Sequence, residues 1–112
     1  NGGVYQFNVP RRDPVKEQGM TVPTAMGSAH AINFQPTGNG NAAITGDFVL
    51  TAEEVTPMIR TLRSNGIDVT AMHSHMLTEQ PRLIFMHFWA VDNAMKLAKT
   101  VRAGLDKTAV GK

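Results

Sequence analysis

Apolar and polar positions alternate from Val4 to Val9, from Ser28 to Gln35, from Ala42 to Leu50 and again from Arg82 to Trp89. That is the period of strands with one face buried. Pro10 stops the first run, because proline cannot donate to a β-ladder. Pro36-Thr37-Gly38-Asn39-Gly40-Asn41 has turn composition, so the second and third runs form a hairpin. Thr51-Ala52-Glu53-Glu54 then has the spacing of a capping box, with Val55, Met58, Ile59 and Leu62 at helical intervals and Asn65-Gly66 as a C-terminal stop. Pro57 fits best if the regular helix begins there, with Thr56 as cap and a looser turn before it. A second helix, starting at Ala90 or Asp92, places Ala94, Leu97, Ala98, Val101 and Leu105 on one side, and the tail from Lys107 to Lys112 is expected to fray.

Between the helices, Ala71 to Trp89 reads as two strands joined through the polar, proline-containing Leu77-Thr78-Glu79-Gln80-Pro81. Two ββα units therefore follow one another, and they superimpose at an offset that places Asn33 on His73, Gln35 on His75 and Asp47 on His87. The expected fold is α+β: one antiparallel sheet with both helices on one face, a ββαββα chain in a permuted ferredoxin-like arrangement, preceded by an N-terminal strand. We divide a single domain, 1–112, into an N-terminal strand and irregular covering segment (1–27), a first unit (28–66) and a second (67–107). Ile32, Phe34, Ile44, Phe48, Met72, Ile84, Met86 and Phe88 share the face toward the helices. The opposite face carries Asn33, Gln35, Thr45, Asp47, His73, His75 and His87, bordered by Leu83, Phe85 and Trp89.

Composition narrows the function classes. Eleven basic against nine acidic side chains give a net charge of +2, with no basic stripe among aromatics, so nucleic acid is not an expected partner. There is no cysteine, which excludes disulfides, thiolate metal sites and cysteine nucleophiles. No apolar run approaches the roughly 20 residues that span a bilayer. The chain begins at Asn1 rather than methionine, and we expect a processed or trimmed product.

Three of the four histidines fall between residues 71 and 89. His73 and His75 are two apart on a strand, which puts both imidazoles on one face. His87, on the returning strand, stands across from His73 in one register and diagonal to it in another. Three neutral imidazoles that converge would hold a transition metal and leave a position open, with zinc favoured and copper, nickel or iron as alternatives. For His30 alone, a hydrogen-bonded, half-buried side chain is the expectation. The spacing His73-x-His75-x-x-x-Glu79 resembles the first metal motif of cupins, although the flanking helices do not suit a cupin barrel. Glu79 is thus read as a fourth ligand or a proton shuttle for metal-assisted hydrolysis or hydration, against a solvated loop charge. Asp47 and Asn33 stand behind the histidines, Asp47 as a partner for an imidazole N–H. Phe85 and Trp89 wall the face. The alternatives are an apolar small-ligand pocket against Phe85 and Trp89, and a non-catalytic assembly surface that pairs two copies or docks to an envelope protein.

The run from Met20 to about Leu105, and most specifically His73-Ser74-His75-Met76, Glu79, Pro81-Arg82 and His87-Phe88-Trp89, with Thr45-Gly46-Asp47 and Asn65-Gly66-Ile67 in support, resembles the LppY/LpqO family of bacterial proteins. The resemblance implies a location in the cell envelope, periplasmic or secreted, in a family that includes lipoproteins. It implies no mechanism, since the family's function is unassigned.

Overall fold

The computed structural model describes residues 3–13, 15–23, 28–76 and 79–108. Pro14 and Gly27 of the covering segment, Leu77 and Thr78 of the second hairpin, and residues 109–112 of the tail lie outside them. Strands β1 (Tyr5–Pro10), β4 (Ala29–Gly38), β5 (Asn41–Leu50), β6 (Asp68–Ser74) and β7 (Ile84–Asn93) form a five-stranded antiparallel sheet in the order β1-β4-β5-β7-β6. β2 (Lys16–Glu17) and β3 (Met20–Thr21) make a separate small ribbon. Helices α1 (Ala52–Ser64) and α2 (Ala94–Leu105) complete the expected α+β arrangement.

The turn between β4 and β5 is tighter than its composition suggests. β4 continues through Pro36, and only Asn39 and Gly40 are left to turn the chain, with φ of 57° and 79°. Positive φ at both residues matches the right-handed twist of the strands, and Asn-Gly reaches it at least cost. α1 begins at Ala52, not at Pro57. The Glu54 carboxylate accepts the Thr51 N–H at 2.9 Å, and this cap starts the helix before the proline, which sits inside it. α2 begins later than expected. β7 stays paired with β5 as far as Asn93, whose side chain then accepts the Lys96 N–H at 3.1 Å as the cap.

One face of the sheet is closed by the helices. Ile32, Ile44, Phe48, Met86 and Phe88 meet Met58 and Leu62 of α1 and Leu97, Val101 and Leu105 of α2 in one core. Met72 shares that face by register but lies on the edge strand and is 47% exposed, so it fills no core. On the other face, Val15 and Val22 pack on Val49 and Leu83, with Met76 and Phe85 beside them. The backbones of Lys16 and Gln80 exchange hydrogen bonds at 2.7 and 2.6 Å, which ties the covering segment to the loop before β7. The cover is confined to that end. Among the described residues no helix is long and apolar enough to cross a membrane.

Candidate metal centre

β5 and β7 place Asp47 directly opposite His87, and β6 places His73 opposite Phe85. His73 and His87 are thus diagonal neighbours on the face away from the helices. Their imidazoles point at each other, with the two Nε2 atoms 3.3 Å apart. Each outer nitrogen faces an oxygen. His73 Nδ1 donates to the Ser74 carbonyl at 3.1 Å, and His87 Nδ1 is 2.5 Å from Asp47 Oδ1. The latter contact is an ion pair by distance, and among the described residues no donor is aligned on Oδ1 in hydrogen-bond geometry. Burial raises the Asp47 carboxyl above its ordinary range, against the pull of His87 and His73.

A carbonyl oxygen cannot donate, so the neutral His73 ring carries its proton on Nδ1, and its Nε2 is the acceptor of an N–H···N hydrogen bond when His87 is protonated on Nε2. A cation in place of that shared proton would meet both Nε2 lone pairs, with the His87 proton on Nδ1 beside Asp47. The separation suits a metal. Two nitrogens at the roughly 2.0–2.1 Å bonding radius of tetrahedral zinc are about 3.3 Å apart. A carboxylate or backbone carbonyl on the far nitrogen is the usual support of a metal-bound imidazole.

His75 and Glu79 do not join them. β6 ends at Ser74, and beyond it the His75 ring is turned to Glu79 rather than to His73. The His75 N–H is taken by the Leu83 carbonyl at 2.9 Å, and its Nδ1 meets Glu79 Oε2 at 2.5 Å. The ring of Phe85 lies edge-on to both imidazoles, with centroids 5.1 Å from His73 and 4.9 Å from His75. Glu79 is not a solvated loop charge: its side chain is fully buried, and Oε1 accepts the Met76 N–H at 3.0 Å. The Lys16–Gln80 clamp and the covering segment exclude water there. The four proposed ligands therefore form two pairs, and among the described residues no group of three His, Cys, Asp or Glu converges. Asn33 and Trp89 line a shallow hollow of about 80 Å³ with Thr45 and Gln35, beside the histidine pair rather than in it.

The family model described as Domain of Unknown Function (DUF1259) matches residues 1–107. The chain belongs to that family. No curated protein and no solved structure matches it. Within this DUF1259 domain a second polar cluster escaped the sequence reading. Arg11, after β1, directs its guanidinium to Asp13, to both oxygens of Glu54 and to the Val49 carbonyl, while buried His30 accepts the Val49 N–H on Nδ1 at 3.0 Å. The β4–β5 ladder stops at Asp47, so these two side chains serve the next outward-facing backbone groups in place of a strand. Burial first, and Arg11 second, push the His30 imidazole down to about 4. The one available signal was Glu54 in the capping box, already committed to the helix start.

Proposed function

We propose that this domain binds a divalent transition metal, zinc before copper, nickel or iron, on His73 and His87. The observation that carries the reading is the pair of facing Nε2 atoms at 3.3 Å, each ring held from behind by Asp47 or the Ser74 carbonyl. His75 and Glu79 stand outside this set because their mutual contact and the Met76 N–H already occupy them. On one chain the pair alone leaves coordination positions to be filled. Glu79, facing His75, is not aimed at the histidine pair, so binding is the reading the geometry supports and turnover is a question for the loaded protein. The resemblance to LppY/LpqO proteins supports placing this activity in the cell envelope.

Equilibrium dialysis against buffered zinc tests it. His73→Ala and His87→Ala should each abolish specific uptake, His75→Ala should retain it, and Asp47→Asn should weaken it by about 10–100-fold. Wild-type protein that takes up no zinc, or uptake lost only in His75→Ala, would overturn the assignment.

A further inference from the structure

Two imidazoles are an incomplete shell for zinc, which takes four ligands in closed sites. Among the described residues no third His, Cys, Asp or Glu joins the pair, and the remaining residues of the chain include none of these types. The pair also sits on an open surface. His73 is exposed, His87 and Asp47 are partly so, and Trp89 and Val91, on the same face of β7, are 46% and 56% exposed.

We propose that a second copy of this chain completes the site, its own His73 and His87 supplying the other two ligands of a metal shared across a two-fold axis. The proposal rests on the metal reading above and names the partner of that site. A tetrahedron has opposite edges related by a two-fold axis, and one facing Nε2 pair occupies one such edge. A closed two-fold pair is also the commonest oligomer, with the same patch on both copies. The sheet geometry permits it. Face-packed sheets lie roughly 10 Å apart, and an imidazole that binds through Nε2 reaches about half of that gap. The cover formed by residues 15–22 rests on Val49 and Leu83 and leaves the middle of β5 and β7 open, where Trp89 and Val91 would become buried beside the metal.

Sedimentation velocity and zinc stoichiometry, measured on one sample with zinc sulfate added and then with a chelator, test this. The expected result is a doubling of mass with half a zinc per chain, reversed by the chelator and absent in His87→Ala. Trp89→Glu, which removes no ligand, should prevent the doubling while the monomer still takes up zinc more weakly. One zinc per chain at monomer mass, or growth beyond the dimer, would overturn the shared site and leave the metal reading intact. Absence of any zinc uptake would overturn both.

Discussion

Single residues carry costs that the helix and strand patterns do not reveal. His30 is fully buried with Nδ1 engaged by the Val49 N–H and, among the described residues, no partner on Nε2. Its affinity for a proton falls from 6.5 to about 4 on folding, so between those values the unfolded chain binds the proton and the folded chain resists it. Stability is therefore complete above about pH 6.5 and declines as pH falls toward 4. At about 1.4 kcal/mol per pH unit, the loss is about 3 kcal/mol. Urea unfolding from pH 7 to pH 4 should show that decline in the wild type and lack most of it in His30→Asn; equal slopes in both would remove His30 as the cause. Arg11 has the opposite character. Burial disfavours its charge, but Asp13 and Glu54 outweigh burial, so it stays ionised and joins β1, β5 and α1.

At the level of elements, the central strand β5 owes its fit to a missing side chain. A Cβ at Gly46 would stand 2.0 Å from the Ala31 carbonyl oxygen of β4 and 3.1 Å from the Phe88 ring. Backbone cannot yield as a flexible side chain can, so Gly46→Ala should cost about 3 kcal/mol, near the upper end for overpacking. Thermal unfolding with a midpoint within a degree or two of wild type would contradict that contact. Strand periods, the capping box and Asn39-Gly40 made most of this architecture legible, because alternation and turn chemistry are local properties. Local reasoning failed at the joins. Asn93 rather than Asp92 caps α2 because pairing with β5 holds β7 extended to that point. His75 leaves the histidine set because its ring is engaged by Glu79 from the loop before β7. Glu79, four residues from the next buried apolar side chain, Leu83, gave no sign of burial, since the segment that covers it comes from residues 15–22.

The whole molecule is a sheet covered by helices on one side and by a short ribbon over one end of the other, and this asymmetry is what exposes His73 and His87 while burying His75 and Glu79. The central claim is that a metal sits between two specific nitrogens. A long-range ¹H–¹⁵N spectrum of histidine-labelled protein, taken before and after zinc addition, reads each ring nitrogen separately. The account expects zinc to leave His73 and His87 as Nδ1–H tautomers with shifted Nε2 signals, and His30 and His75 unchanged. Signals of His75 that move instead, or no movement at Nε2 of His73 and His87, would contradict it.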